Sequence, residues 1–337
     1  MLQIATAAGE RAKHSHAKLY CTRKLQLVCF KIGKLDIFKI PIFLYDIYKE
    51  EVIHMQKKVM AIHDISCVGR CSLTVALPIL SAAGIETSIL PTAVLSTHTG
   101  GFEGFTYRDL TSDIIPITTH WKSLGLEFDA LYTGYLGSFE QIALVSNLFE
   151  EFGNEKNILF VDPVMADNGK LYTSFSKDFP KEMVKLCEKA DVILPNMTEA
   201  TLLLGEKYEE GPYAKSYIET SLKGLAELGP KKIILTGVYL DEQEIGAATY
   251  DSETKEVHYI FTSKIPGDYH GTGDIFGSVL LAGLLNERSL HEATKGAVEF
   301  VKRAIERTYQ EKTQARFGVN FEYGLGELAT LIKKERI

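Results

Sequence analysis

A glycine-rich segment of the chain runs Ile265-Pro266-Gly267-Asp268-Tyr269-His270-Gly271-Thr272-Gly273-Asp274-Ile275-Phe276-Gly277-Ser278. An apolar run follows it, so the segment predicts a loop that turns into a helix at residues 271–274. Glycine lacks a Cβ and therefore lets a ligand approach the backbone closely. The first amides of a helix have no partner within it, and together with the helix dipole they form a site for an anion.

Asp274 is an unusual residue at such an anion site, because its negative charge would repel a bound phosphate. Its position makes sense if the carboxylate takes a proton from a hydroxyl group that attacks the phosphate. An anion site beside a base is the minimal equipment for phosphoryl transfer to an alcohol. The alternative is a capped helix after a glycine-rich turn, since a pattern as short as Gly-x-Gly-Asp recurs by chance.

Composition limits the class of protein. The chain has 337 residues, a net charge of −7, 45% hydrophobic residues and 24% charged residues, which is typical of a soluble globular protein. The negative charge argues against a broad nucleic-acid-binding surface. Five cysteines spread along the chain do not predict a disulfide framework, and reduced thiols favour the cytoplasm. Cys67 and Cys71 have no second Cys/His pair nearby, so they do not predict a metal site.

Residues 1–54 differ from the rest of the chain, because basic residues outnumber acidic ones there. The apolar residues 37–45 are interrupted by Lys39 and Pro41, and they are too few to span a bilayer. The segment also lacks the order of a signal peptide, in which a charged start leads into an apolar run and a cleavage site. We predict a poorly ordered extension ahead of one domain at residues 55–337. A targeting or membrane-surface helix is the alternative.

From Met55 onward, apolar strands alternate with helices. Strands are predicted at 59–62 and 86–91, from 130, from 157, from 191 and at 231–238, with an edge hairpin at 244–250 and 257–262. Helices are predicted at 73–83, 116–128, 141–152, 290–310 and 326–334. This alternation indicates an α/β domain of three layers, in which helices flank a mostly parallel central sheet.

Polar side chains follow two of these strands. A carboxylate such as Asp162, at the end of a buried strand, is costly unless it meets a cation or donors, and Mg²⁺ carrying nucleotide phosphates would satisfy it. Asn196 and Glu199 are three residues apart and face the same way on a first helical turn, where an amide and a carboxylate suit hydrated Mg²⁺. Alternatively, Asp162 caps the next loop, and Asn196 or Thr198 is a plain helix N-cap.

Two loops, at residues 66–72 and 93–101, also follow strands. In open α/β sheets ligands bind at the carboxyl ends of the strands, so both loops are candidate substrate contacts. His98 is the aromatic ring in the second loop. The alternative is that His98 is an ordinary loop residue whose hydrogen bonds are satisfied.

Together these residues identify a family. Residues 55–337 resemble the ribokinase-like superfamily and, within it, the pyridoxal kinases, which phosphorylate vitamin B6. Each supporting stretch is weak alone, but six in the family's order, each at a predicted strand end, make the resemblance specific. They are Ala-Ile-His-Asp at 61–64, Ser-Thr-His-Thr at 96–99, Thr-Gly-Tyr-Leu-Gly-Ser at 133–138, Asp-Pro-Val-Met at 162–165, Pro-Asn-Met-Thr-Glu at 195–199 and Gly-Thr-Gly-Asp at 271–274.

The resemblance implies a role for each matching residue. Asp274 is the implied base for the hydroxymethyl group of the substrate, and the anion hole around the transferred phosphate is made by Gly271, Thr272 and Gly273. The resemblance implies that Mg²⁺ and the ATP phosphates are contacted by Asp162, Asn196 and Glu199, with Tyr172 near the phosphates. The other nucleotide contacts that it implies are Thr236 and Gly237. The pyridine ring is contacted, by the same resemblance, by His98, Thr99 and Tyr135. The resemblance also implies ATP as co-substrate, Mg²⁺ held by Asp162 and Glu199, often a monovalent cation such as K⁺, and a homodimer.

The chain departs from the pyridoxal kinases at two positions. Asp64 stands where many of them place a serine against the pyridine ring. A carboxylate there favours a protonated ring nitrogen or a cationic amine, which suits pyridoxine or pyridoxamine, and it also resembles the hydroxymethylpyrimidine kinases. His270 stands where some relatives carry a cysteine, so no thiohemiacetal with an aldehyde substrate is available at that position.

Three hypotheses therefore remain open. The first is an ATP-dependent kinase of vitamin B6. The second keeps the fold and changes the alcohol to hydroxymethylpyrimidine, a sugar or a nucleoside, although Tyr135 and His98 favour a flat heteroaromatic ring over a sugar. The third is a vitamin-binding or sensor protein without turnover, against which the base at Asp274 argues, because a binder needs no base.

Overall fold

The computed structural model describes residues 56–332 and two short strands before them, β1 (Lys31–Ile32) and β2 (Leu35–Asp36). β1 and β2 form an antiparallel pair. Contacts between Cα atoms divide the chain into Met1–Met55 and Gln56–Ile337. The two predictions for residues 1–54, an extension or a surface helix, otherwise fall outside the described residues.

A twisted sheet of nine strands forms the middle layer of the second unit, in the spatial order β13-β12-β11-β10-β7-β6-β3-β4-β5. Its strands are β3 (Lys58–Ser66), β4 (Glu86–Leu95), β5 (Tyr107–Asp109), β6 (Ala130–Thr133), β7 (Ile158–Val161), β10 (Val192–Ile193), β11 (Lys232–Val238), β12 (Glu244–Asp251) and β13 (Glu256–Ser263). The inner strands from β11 to β4 are parallel, and the edge strands β5, β12 and β13 are antiparallel. A separate hairpin is made of β8 (Ala166–Asp167) and β9 (Lys170–Leu171).

Helices cover both faces of this sheet, which confirms the three-layer α/β prediction. One face packs against α1 (Leu73–Ala82), α7 (Thr272–Leu285), α8 (Leu290–Glu311) and α9 (Leu325–Ile332). The other packs against α2 (Thr111–Ser123), α3 (Phe139–Phe152), α4 (Phe179–Cys187), α5 (Met197–Leu204) and α6 (Lys215–Glu227). Within the described part of the chain, no helix combines the length and apolar character that crossing a bilayer requires.

The central strands are apolar on both sides because each side meets a helical layer. In β3, Val59 and Ala61 belong to the core under α1 and α7, whereas Met60 and Ile62 belong to the opposite core. This alternation follows from the two-residue period of a strand. β3 leads into α1 on one face and the neighbouring β6 leads into α3 on the other, so a crevice opens between the two strand ends, where ligands of such sheets bind.

Several predicted boundaries are wrong. The strand predicted at 59–62 is β3, which continues to Ser66 because it stays paired with β4 as far as Leu95. The strand predicted to end at Pro91 continues to Leu95, because β5 pairs with β4 only from Ala93 onward and a proline is tolerated on an unpaired flank. The helix predicted at 116–128 is α2, which starts earlier because the Asp109 carboxylate accepts a hydrogen bond from the N–H of Thr111. α2 also ends earlier, just before Gly125, whose φ of 68° stops the helix.

Gly277 allows α7 to approach the sheet closely. A Cβ at this position would lie 2.5 Å from the Tyr132 hydroxyl oxygen and 3.1 Å from Leu194 Cδ2, and Tyr132 is fully buried. We expect Gly277→Ala to lower the free energy of unfolding by about 1–3 kcal/mol, because overpacking outweighs the better helix propensity of alanine. Urea unfolding measures the change.

Gly326→Ala is the matched control, since Gly326 is an exposed position in α9 with open space where the Cβ would be. There we expect stabilisation by about 0.5–1 kcal/mol. If Gly277→Ala proved as stable as the Gly326 variant, the close approach of α7 to Tyr132 would not constrain the fold.

Candidate active site

Three carboxylates predicted from the sequence come together at the carboxyl ends of the inner strands. Asp162 follows β7, Glu199 lies in the first turn of α5, and Asp274 lies in the first turn of α7. Asp162 and Glu199 are buried and Asp274 is partly exposed. Burial raises the pKa of Asp162 well above its usual range, and repulsion from Glu199 and Asp274 adds to the effect. The three groups therefore share one electrostatic environment that disfavours negative charge.

Glu199 is held by backbone donors. Its Oε2 accepts from the N–H of Asn196 at 2.9 Å and its Oε1 from the N–H of Met165 at 3.0 Å, while Asn196 Oδ1 accepts from the N–H of Glu199 at 2.9 Å. This capping box confirms the interpretation of Asn196 as an N-cap. Burial raises the pKa of Glu199 to about 8, and these N–H donors oppose the rise. The predicted magnesium role of both residues stays a prediction.

The loop before α7 has the conformation expected of an anion site. Gly271 is the N-cap of the helix with a φ of 74°, and a Cβ there would lie 1.9 Å from the Arg70 carbonyl oxygen, so only glycine fits. A Cβ on Gly273, in the first turn of α7, would meet nothing within 4 Å, so this side of the helix start faces open space. Burial raises the pKa of Asp274 to about 7, and the nearby charge of Asp64 adds to the rise. A carboxyl group with that pKa is suited to take a proton near neutral pH.

Asp64 and Tyr135 lie on the two sides of the crevice between β3 and β6. Asp64 is buried, and its Oδ1 and Oδ2 accept hydrogen bonds from the hydroxyl groups of Ser72 (2.6 Å) and Ser66 (3.2 Å). Burial raises the pKa of Asp64 and those two donors oppose the rise. The pKa of Tyr135 is raised by burial and by the charge of Asp64, which places the phenol within electrostatic reach of that carboxylate.

His98 lies in a cluster of rings. Its Nε2 is 2.6 Å from the carbonyl oxygen of Arg316, and its ring centroid is 4.9 Å from that of Phe102 and 5.2 Å from that of His270. A cavity of about 580 Å³ lies beside it, lined by Gly101, Phe102, Glu103 and Arg316. Burial lowers the pKa of His98, which favours the neutral ring. The predicted neighbour Thr99 is exposed.

The residues predicted to contact the nucleotide lie near the same carboxylates. Tyr172 follows β9, and its pKa is raised by burial and then by Glu199, Asp167 and Asp162, so its phenol lies beside the acidic cluster. Thr236 forms a parallel bridge with Asn196, which brings the end of β11 next to α5. Gly237 follows with a φ of 69° and open space around it.

The sequence prediction missed several residues of this site. Ser66 and Ser72 lie at the two ends of the loop predicted at 66–72, but their hydrogen bonds to Asp64 were not predicted, and Arg316 comes from a short 3-10 helix 218 positions away from His98. His63 is fully buried against Tyr132, at 4.4 Å between ring centroids, and neither ring nitrogen has a hydrogen-bond partner among the described residues. Burial lowers its pKa to about 3, so the ring is neutral. Serine and arginine at these spacings form no pattern that would have signalled them.

Comparisons with known proteins define the family. The chain matches the model of the phosphomethylpyrimidine kinases over residues 78–318. It therefore belongs to the phosphomethylpyrimidine kinase family, and the predicted ribokinase-like fold and kinase class are confirmed.

Three individual proteins illustrate how similar this chain is to known kinases. A Bacteroides thetaiotaomicron protein assigned to the phosphomethylpyrimidine kinases, in a crystal form with pyridoxal, is 39% identical with a TM-score of 0.78 over 81% of this chain and 96% of that one. The pyridoxal kinase of Lactobacillus plantarum is 33% identical with a TM-score of 0.75 over 82% of this chain and 98% of that one. A pyridoxal kinase of Actinobacillus pleuropneumoniae is 29% identical over 67% of this chain and 80% of that protein.

The buried carboxylates predict a specific dependence of stability on pH. Their pKa values are raised in the folded state, so the folded protein binds more protons than the unfolded chain at pH values above about 4. The contribution of these carboxylates to the stability of the ligand-free protein should therefore fall as the pH rises from 5 to 8, whereas the buried neutral His63 acts in the opposite direction below about pH 6.5. We expect Asp162→Asn to remove part of this loss and to be more stable than wild type at pH 8 by at least about 1 kcal/mol, the equivalent of a pKa shift of roughly one unit.

Thermal unfolding at pH 5 and pH 8 tests this expectation. Asp191→Asn is the control, because the Asp191 carboxylate accepts from Leu159 N–H at 3.0 Å and Lys231 Nζ at 3.1 Å and is stabilising. That variant should lose stability at both pH values. An Asp162→Asn protein that is less stable than wild type at pH 8 would contradict the electrostatic description of the cluster.

Proposed function

We propose that this protein is an ATP-dependent kinase that phosphorylates the 5′-hydroxymethyl group of vitamin B6, in the salvage of pyridoxal 5′-phosphate. The observation that carries the proposal is Asp274, a carboxyl group with a pKa of about 7 at the start of α7, directly after the open glycine loop. The similarity to pyridoxal kinases and to a homologue crystallised with pyridoxal supports the choice of substrate.

In the proposed reaction, the alcohol of the substrate transfers its proton to the Asp274 carboxylate as its oxygen attacks the terminal phosphorus of ATP. The backbone N–H groups of residues 271–273 hold the charge that develops on the transferred phosphoryl group. ADP leaves, and the protonated Asp274 returns its proton to solvent. Most of the rate enhancement in this scheme comes from positioning and electrostatics.

Mg²⁺ fits the acidic cluster. Burial and the negative charges of Glu199 and Asp274 raise the pKa of Asp162, so a cation there would stabilise its ionised form. Glu199 is engaged by backbone donors and would reach the metal through water, with Asn196 beside it. Bound Mg²⁺ would neutralise charge on the ATP phosphates. We extend the proposal to Tyr172, Thr236 and Gly237 as ATP contacts and to a monovalent cation such as K⁺.

The pyridine ring is proposed to lie between Asp64 and Tyr135, with His98 and Thr99 at its outer edge. A protonated ring nitrogen or a cationic amine would suit the Asp64 carboxylate, which favours pyridoxine and pyridoxamine. His270 supplies no thiol, so binding of pyridoxal there involves no thiohemiacetal.

We also propose a catalytic unit at residues 55–337, preceded by an extension at residues 1–54, and a homodimer in the cytoplasm. The cysteines Cys67, Cys71 and Cys187 are free, which is consistent with a reducing compartment. The dimer rests on the resemblance to pyridoxal kinases.

A substrate panel tests the proposed activity against its alternative, hydroxymethylpyrimidine or its phosphate as acceptor, which the family name favours. We expect ADP release with pyridoxine, pyridoxamine and pyridoxal, and a kcat/KM for hydroxymethylpyrimidine lower by at least about 10-fold. EDTA should abolish turnover and added Mg²⁺ should restore it. Preference for hydroxymethylpyrimidine would establish the alternative, and ligand binding without any alcohol-dependent ADP release would indicate a vitamin-binding protein.

Asp274→Asn tests the base. The amide keeps the shape of the side chain but cannot accept the proton, so kcat should fall by about 10²–10⁴. Asp268→Asn, an exposed position in the same loop, is the control and should keep the wild-type kcat. Affinity for ADP, measured by calorimetry, should survive in both variants. Wild-type turnover in Asp274→Asn would remove this residue from the mechanism.

A further inference from the structure

Ser72 has a backbone conformation that residues with a side chain rarely adopt. It is the residue before α1, with φ of 52° and ψ of −135°. A serine before a helix ordinarily has extended dihedral angles and caps the helix with its side-chain oxygen. Ser72 makes no such cap, although its carbonyl oxygen accepts from the N–H groups of Val75 and Ala76 and so begins the helix. Ser72 therefore has a strained backbone conformation, and its side chain does not offset the strain by capping the helix.

Ser72 lies where its hydroxyl group binds one carboxylate of the proposed reaction and its backbone adjoins the helix that carries the other. The Ser72 hydroxyl donates to Asp64 Oδ1 at 2.6 Å. The backbone just before Ser72 packs against the start of α7, where a Cβ on Gly271 would lie 1.9 Å from the Arg70 carbonyl oxygen and 3.6 Å from Cys71 Cα, and the Ser72 N–H opposes the rise that burial causes in the pKa of Asp274. Ser72 is buried, so both interactions are shielded from water. Strain of this kind persists where the surrounding structure enforces it, and it concentrates at functional sites.

We propose that Ser72 is a positioning residue that fixes Asp64, the contact of the substrate ring, relative to Asp274, the base. Asp64 comes from β3 and Asp274 from α7, and Ser72 joins them from the start of α1. The inference rests on the proposed function. The hydroxyl acts on substrate binding through Asp64, and the N–H acts on the base.

Ser72→Gly separates this role from a purely structural one. Glycine adopts the same dihedral angles freely, so the variant should unfold at the same temperature as wild type or higher. It lacks the hydroxyl group, and kcat/KM for pyridoxine should fall by about 10- to 100-fold, the equivalent of one hydrogen bond to a charged group. Most of the loss should appear as a higher KM for pyridoxine, with the KM for ATP unchanged.

Two further variants make the test specific. In an Asp64→Asn background, adding Ser72→Gly should lower kcat/KM by less than twofold, because residues that act as a unit are not additive. Lys255→Gly is the matched control, since Lys255 is exposed and left-handed (φ of 62°) in the turn between β12 and β13, beside the amino end of β11 and away from the strand ends that carry the site. It should change neither kcat nor KM.

The outcomes separate the two proposals. Wild-type kcat/KM in Ser72→Gly, or full additivity with Asp64→Asn, overturns the positioning role. A loss of activity that only parallels a lower unfolding temperature also overturns it. If wild type phosphorylates no alcohol, the proposed function fails, and the role of Ser72 is then decided by pyridoxal affinity in titration calorimetry, where an unchanged Kd in Ser72→Gly rejects it.

Discussion

The removal of Asp162, Glu199 and Asp274 from water is the constraint on which the site depends. The three carboxylates arrive on separate elements, and burial raises the pKa of each. A protein without a need for negative charge at the ends of its inner strands would gain stability by replacing them. The ligand-free fold therefore tolerates a local destabilisation that bound cations would relieve. The carboxylates that the proposed reaction needs thus lower the stability of the ligand-free protein.

Backbone N–H groups at helix starts make this arrangement tolerable. The start of α5 supplies donors to Glu199 through a capping box, and the residue before α1 supplies one to Asp274. Gly271 turns the chain into α7 so closely to Arg70 that no side chain fits. The same unpaired amides that offset carboxylate charge in the free protein are suited to phosphate oxygens when nucleotide is bound. The starts of α1, α5 and α7 thus each carry or adjoin residues of the candidate site.

In the proposed function, substrate selection belongs to a different part of the crevice from the acidic cluster. Asp64 and Tyr135 come from the adjacent strands β3 and β6, whereas His98 is fixed by Arg316 from the C-terminal part of the chain. The position of His98 therefore depends on a contact between distant segments of the chain, whereas Asp64 and Tyr135 are positioned by neighbouring strands. This chain is similar both to the phosphomethylpyrimidine kinase family and to a pyridoxal kinase structure.

The amino-acid sequence by itself determined the alternation of strands and helices, the strand ends that carry Asp162 and Asn196, and the glycine loop before Asp274. These features are local, because apolar runs, glycine and helix starts act within a few residues. Only the tertiary structure decided that β4 continues past Pro91, since that depends on where β5 pairs. It also decided the strained turn at Ser72 and the raised pKa values of the carboxylates, because both arise only when distant elements converge and exclude water.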